Sequence, residues 1–458
     1  MTPSITSLIA AIAICLTATS AAAFAAEYRV GIASREINPR KPTVIIGPAS
    51  SPVHADRYND LHVKATVIQG PADWRVTFVS ADILHFEADQ VDRLKEAIEA
   101  RFNLIPDAVL FNASHNHSGP PLSTLMISSP DKLDLDYVAH FDKQLLGVVE
   151  DAIAAMRPAA ISLVEDTCDV AVNRRRTVNG RTSNAPNPDG PVDRAVQVLA
   201  FRDPDTQKPF GLLVKYACHP VTTSMFAVGS SYPGLMMDTL QARHAGLTVQ
   251  FLQGCSGDCR PALIGEDPTK FIPGTLDLAK SFGTRLADAV DRALAKPGRQ
   301  IKGPIDTRYT QIDLPIRPVE RPEFAAAANS NAWHIQRWGQ KYLAQLDAGR
   351  PLDTKVPFRI QAVRLGQAPD AACLIVAFDG EIFAGYSHHI QKRLAPTPTI
   401  ALGYANAMAG YIPTAEAFPK GGYEVNAYPV WDHPGPFLPS IESQILKTAQ
   451  SLAQSLLP

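Results

Sequence analysis

The sequence predicts one large α/β domain, a mixed α+β arrangement in which mixed β-sheets are flanked by helices. Three observations carry that expectation. Residues 75–114 read as strand, amphipathic helix and strand, in the spacing of a βαβ unit. Further apolar runs of strand length recur beyond them, and several open into polar loops. No internal repeat or low-complexity linker divides the 458 residues, so the simplest account is a single core.

Taken in order, RVTFVSADILHF (75–86) reads as a strand, EADQVDRLKEAIEARF (87–102) as an amphipathic helix, and DAVLFNAS (107–114) as the next strand. A long helix at 135–156 leads to the strand AAISLVED (159–166). AVQVLAFRD and FGLLVKYAC flank the turn residues Pro204 and Asp205, which predicts a hairpin. A helix at 234–243, the strand LTVQFLQG (247–254) and a helix at 274–295 follow. Residues 321–349 are helical in pattern and form an excursion from the main sheet. ACLIVAFDGEIF (372–383) reads as one buried strand before a short helix with Tyr386 and His388. TIALGYANAMAGYIPT (399–414) and a terminal helix at 439–456 close the chain.

With 46% hydrophobic and 19% charged residues, the composition is that of a soluble globular protein. Its 43 basic and 45 acidic side chains give a formal net charge of −2, so no field draws in nucleic acid or an anionic membrane. SLIAAIAICLTATSAAAFA resembles a secretory signal peptide, with Ala23-Phe24-Ala25 as its cleavage site, although its n-region lacks Lys and Arg. The expected division is a signal at 1–25, a mature domain at 26–458 and export to a periplasm or beyond the cell. The strongly apolar part falls short of the ~18–20 residues of a membrane span, and no later segment supplies one. Cys15 leaves with the signal, so Cys168, Cys218, Cys255, Cys259 and Cys373 remain, an odd number. Cys255 and Cys259 share a short loop and could pair, or could both be small buried hydrophobes.

The side chains with chemistry to offer gather at strand ends, where α/β sheets tend to bind ligands. His115 and His117 follow DAVLFNAS, His219 follows FGLLVKYAC, Glu381 ends CLIVAFDGE, and Tyr411 follows IALGYANAMAG. The loop CSGDCRP after VQFLQG holds Asp258 and Arg260. Two imidazoles and a carboxylate with one open position suit zinc, which lowers the pKa of a bound water to about 7. Each piece also has a plainer role: histidines satisfy loop carbonyls, and a glutamate after glycine can be a solvated turn. HNHSGP lacks the Asp-His of metallo-β-lactamase-like hydrolases, and the regular repeats of an amidohydrolase barrel are missing. GCSGD does not complete a GxSxG, and neither a P-loop nor a dinucleotide fingerprint is present.

HNHSGPP resembles the His-Thr-His-Ser-Gly-Pro-Gly signature of the neutral ceramidase family. VGIASREINP, the Asn-Arg of VNRRR, CHP, a QG…GD loop, a Gly-Glu strand end and GYANAMAGYIPTAEAF continue the resemblance in order, over residues 28–455. It implies a fold like the catalytic N-terminal domain of those enzymes and one zinc ion held by His115, His219, Glu381 and Tyr411, with Tyr404 close by in the same motif. His117 would contact the substrate hydroxyl or the scissile carbonyl, and Arg174 and Tyr423 would donate to the oxyanion. The implied reaction is zinc-assisted hydrolysis of an amide, with Glu381 taking the proton of water and with a fatty acid and a sphingoid base as products. The expected partner is an amphiphilic or polar small molecule, with peripheral membrane contact a further possibility.

Two departures qualify this. Gly257-Asp258-Cys259-Arg260-Pro261-Ala262 carries Arg260 where the family has a serine, so the expectation is a cation in the pocket and a more polar or anionic substrate. The second departure is length: the expectation is the catalytic domain alone, without the immunoglobulin-like domain of the family. The alternatives are a family hydrolase acting on another amide, ester, lactone or glycan, or a non-catalytic binding protein with a structural metal. His85, His244, His388, His389 and His433 are left as surface or core histidines, though Trp431-Asp432-His433 could line the pocket mouth.

Overall fold

The computed structural model describes residues 27–46, 53–223, 227–367 and 370–457. The expected signal segment lies outside them. Along the chain, β1 (Tyr28–Glu36) is followed by β2 (Thr43–Val44) and β3 (Val53–His54), a small hairpin, and by β4 (His62–Gln69) and β5 (Arg75–Ala81). α1 (Ala88–Phe102) leads to β6 (Val109–Ala113), and α2 (Leu135–Ala154) to β7 (Arg157–Thr167). Two hairpins come next, β8 (Ala171–Val178) with β9 (Arg181–Asn187) and β10 (Ala195–Arg202) with β11 (Pro209–Tyr216). α3 (Ser231–Arg243), β12 (Thr248–Gln253), β13 (Cys259–Pro261) and α4 (Leu276–Leu294) precede β14 (Arg299–Ile301) and β15 (Ile305–Pro315). α5 (Arg321–Ala327) and α6 (Trp333–Asp347) are followed by β16 (Lys355–Gln367), β17 (Ala371–Phe378) and β18 (Glu381–Ile382). α7 (Ala384–Leu394), β19 (Thr399–Leu402), β20 (Tyr411–Ile412), α8 (Tyr423–Asn426) and α9 (Ile441–Gln454) complete the order.

The expected βαβ unit is present: β5 and β6 pair in parallel across α1. They sit at one edge of a nine-stranded mixed sheet ordered β12-β11-β10-β7-β1-β4-β5-β6, with β14 added to β7. A second sheet, β15-β16-β17-β19, packs against it face to face. Alternation of side chains across each strand explains the layering. Val63, Ala65 and Val67 of β4 meet Leu94, Ile98, Phe141 and Leu145 of α1 and α2. Ile68 of β4, with Val30 and Leu213, instead meets Val363 and Ile375 of the smaller sheet. Ile360 and Val376 face the opposite way, onto Ile390 of α7 and Ile445 and Ala449 of α9. The result is four layers, helix, sheet, sheet and helix. Each buried Leu, Ile, Val or Phe contributes about 1.5–3 kcal/mol to holding them.

Helix starts follow local chemistry. Asp134 accepts from the amides of Asp136 and Tyr137 to begin α2, and Thr275 accepts from that of Leu278 to begin α4. Two expected strands are shorter than their apolar runs. β5 stops at Ala81, and residues 372–383 are divided because Gly380, at φ 76°, turns the chain between β17 and β18. Cys255 and Cys259 are free and enter different apolar clusters, so they serve as buried hydrophobes rather than as a pair. No helix among the described residues is long and apolar enough to cross a membrane.

Candidate active site

The carboxyl ends of β6, β11, β12, β17 and β19 converge, and side-chain amides stitch them together. Asn112 of β6 donates to the carbonyls of Gln253 and Gly403 and accepts from the Gln253 amide. The spacing of the two histidines has a structural cause in Asn116 between them. Its side chain points into the fold and donates to the carbonyls of Gly229 and Asp82, so its neighbours turn the other way. His115 is held at φ 62°, a left-handed conformation that is costly for a bulky side chain and typical of functional sites.

His115, His117 and His219 bring ligand nitrogens within 4.8 Å of one another, a group that could hold a metal ion. His115 Nδ1 is 2.9 Å from the Leu84 carbonyl. His219 Nδ1 is 2.8 Å from the Ser256 carbonyl and 3.0 Å from that of Cys259. Carbonyls only accept, so both rings carry their proton on Nδ1 and present an unprotonated Nε2. Both Nε2 atoms point at one oxygen of Glu381, Oε2, at 3.3 Å from His115 and 2.8 Å from His219. Three lone pairs aimed at one point need a proton or a cation among them, and this is the donor set of a metal site. His117 Nε2 is buried without a hydrogen-bond partner.

The electrostatics agree. Burial, followed by the charge of Arg174, lowers the His219 pKa to about 4. Burial, then His115 and His219, holds His117 well below the usual imidazole range. Burial acts upward on Glu381, but a proton shared with the His115 and His219 imidazoles outweighs it and holds the carboxyl well below its usual range. All three groups are thus in the states that ligate metals near neutral pH.

Tyr411 starts β20 directly beside Glu381 in β18, in parallel register. Its hydroxyl accepts from Arg174 at 3.0 Å, and Arg174 also donates to the Gly257 carbonyl and to Glu424. Tyr423 packs edge-on against Tyr411, with ring centroids 5.6 Å apart. Tyr404 takes a different place: it is buried, its ring lies 4.5 Å from that of His115, and its hydroxyl is 3.2 Å from Ser256 Oγ. Tyr411, not Tyr404, lines the open cavity.

That cavity, of about 320 Å³, has His115, His117, Glu381, Tyr411 and Tyr423 in its lining. Leu84, Leu125, Met126, Ile127, Val430 and Trp431 make its walls largely apolar. A larger cleft of about 810 Å³ is lined by none of the three imidazoles. Trp431 meets the expectation for the pocket mouth, whereas His433 bonds to the Ala409 carbonyl and does not line the cavity. Arg260 departs from expectation. It is not among the lining residues, because its guanidinium lies 4.3 Å from the Phe271 ring centroid; burial, then Arg174, lowers its pKa to about 10. Lys132, whose ammonium donates to Ser128, lines the pocket instead. Trp333 and His334 also line it, 114 and 115 positions beyond His219, with no motif before them to mark them.

No family model matches the sequence, and no curated protein does. The fold is similar to solved structures. A crystal structure of neutral ceramidase from Pseudomonas aeruginosa superposes with a TM-score of 0.74 at 18% identity, covering 95% of this chain and 75% of that one. A ceramidase complexed with C2 gives 0.73 at 18% identity, covering 95% and 76%. This chain therefore has the neutral ceramidase fold, and that fold gathers a cluster of three imidazoles at an apolar cavity.

Proposed function

We propose that the protein is an exported zinc-dependent hydrolase of the neutral ceramidase type, cleaving the amide bond of ceramide or a related N-acyl lipid. The observation that carries the reading is the convergence of His115, His219 and Glu381, each oriented by the fold, at an apolar cavity. His115, His219, Glu381 and Tyr411 would hold the zinc ion. When bound, zinc supplies a Lewis acid and a water that deprotonates near pH 7.

The chain's own groups account for the remaining needs of amide hydrolysis. Glu381 turns Oε2 toward both imidazoles, and Oε1 is then the oxygen that takes the proton of the attacking water. Tyr423, in the cavity lining, donates its hydroxyl to the oxyanion, whereas Arg174, fixed by Glu424 and Gly257 and absent from that lining, acts through its bond to the Tyr411 hydroxyl. His117, neutral and with Nε2 unpartnered, is placed to contact the substrate hydroxyl or carbonyl. The apolar walls bind the acyl chain and exclude water. Arg260, set over Phe271, is assigned no step. The apolar N-terminal stretch supports export, with a mature chain beginning at Ala26.

The test is release of fatty acid from a fluorescent short-chain ceramide by the mature protein, before chelation, after it and after zinc restoration. Turnover should vanish with the metal, return with zinc, and fall more than about 100-fold in His115→Ala. Zinc-loaded protein that cleaves no N-acyl amide would refute the substrate reading.

A further inference from the structure

α5 and α6 form a helical hairpin with an apolar cluster of its own, built on Phe324, Trp338 and Tyr342. Two sets of polar contacts tie α6 to two separate stretches of the pocket wall. On one side, the Arg337 guanidinium donates to the carbonyls of Thr124 at 2.9 Å, Leu125 at 2.5 Å and Ile127 at 3.4 Å. That loop supplies Leu125, Met126 and Ile127 to the cavity. On the other, Trp338 Nε1 donates to the His433 carbonyl at 2.7 Å and the Tyr342 hydroxyl to that of Asp432 at 2.6 Å. Lys341 pairs with the Asp432 carboxylate. These residues directly follow Trp431, which lines the cavity. Trp333 and His334, in the first turn of α6, line it as well.

A helix is a rigid spacer, so contacts made from one helix to two walls fix the distance between them. Guanidinium chemistry suits the first contact. Its planar fork has five donors and can satisfy three carbonyls at once, whereas a lysine ammonium is a point donor on a flexible stem.

We infer that α6 is the specificity-determining element of the pocket. Arg337 acts as its positioning residue: it sets the 124–127 wall against the 430–431 wall and so limits the width of the apolar group admitted. The inference rests on the hydrolase reading, since it takes an acyl chain as the group the cavity holds.

The test has a kinetic arm and a binding arm. In the kinetic arm, N-acyl substrates of graded chain length and branching are compared in wild type, Arg337→Ala and Arg337→Lys. Arg337→Ala should raise KM for the preferred chain about 10-fold while kcat changes less than about threefold, and should flatten the chain preference. Arg337→Lys should fall between. In the binding arm, dansyl-undecanoic acid is titrated into His115→Ala protein with and without Arg337→Ala. Its Kd should rise about 10-fold in the double variant. Unchanged preference and unchanged Kd would overturn the inference. If no N-acyl substrate is turned over, the hydrolase reading fails while the binding arm still decides the role of Arg337. Trp333→Ala gives a second route should Arg337→Ala not fold: it should shift preference toward bulkier chains, and an unaltered preference would count against α6.

Discussion

The left-handed backbone of His115 costs on the order of 1–3 kcal/mol and persists only because neighbouring bonds determine it. Its ring is held through Leu84, and the next residue through the Ile83 carbonyl and the Asn116 side chain. Removing an imidazole from this arrangement should be felt by the metal alone. His115→Ala is expected to keep the fold while weakening zinc binding by more than about 100-fold, as read by competition with a chromogenic chelator. Unchanged affinity would move the metal to other ligands. Glu424 offers a subtler case. It is buried and accepts from both Arg174 and Arg175, so it aims Arg174 at Tyr411. Glu424→Gln keeps the shape and removes the charge, so kcat should fall about 10-fold with little change in KM. Equal kcat would mean that Gly257 and Tyr411 suffice to hold the arginine. The sequence announced His115, His117, His219 and Glu381 because each follows an apolar run that a loop interrupts. It did not announce Glu424, whose worth lies in partners 250 and 249 positions away.

At the scale of elements, the loop between β12 and β13 shows how closely the site is packed. The Gly257 amide donates to the Ile382 carbonyl at 2.9 Å, and a Cβ at Gly257 would stand 2.1 Å from the Glu381 carbonyl oxygen. Gly257→Ala must therefore push this loop away from β18, and with it Glu381. Thermal unfolding should show a loss of about 1–3 kcal/mol, accompanied by weaker zinc binding. A variant that loses stability yet binds zinc normally would show that β18 does not move. Elements were legible where one face is apolar and the run is short, as in β6, β11 and β12. β15 and β16 were not, and the reason is visible in their side chains. β16 buries Arg359, Gln361 and Arg364, so polar residues interrupt its alternation although the strand is inside. Arg359 donates through Nη2 to Asp92 of α1 and Gln361 to the Asp107 carbonyl, partners that no local pattern displays. The helical excursion at 321–349 was legible as helix, but its attachment to the pocket depends on Arg337 and Trp338 reaching loops far away in sequence.

At the scale of the whole molecule, two carboxyls buried among the four layers make stability depend on pH. Burial raises Asp82 to about 7 and Asp379 to about 8, against the pull of the amides and cations around them. A carboxyl whose folded pKa is raised binds more protons folded than unfolded, so it takes stability away as pH rises from about 4 to its folded value. Imidazoles work the other way. His219, lowered to about 4, removes stability as pH falls from about 6.5 to that value. Between pH 6.5 and 8 the remaining imidazole contribution is shared by wild type and an Asp379 variant while Asp379 still titrates, so wild-type unfolding free energy in chelator should decline with pH relative to that variant. One such group gives at most about 1.4 kcal/mol per pH unit, or about 2 kcal/mol across the window. Asp379→Asn removes that proton. Its amide must face one of two backbone donors, the N–H groups of Arg359 and Ala407, which costs about 1–3 kcal/mol at pH 6.5. The variant should therefore begin less stable and converge on wild type by pH 8. Parallel curves from denaturant melts across that window would show that Asp379 is already ionised in the folded protein, and that Arg359 and Lys95 outweigh its burial.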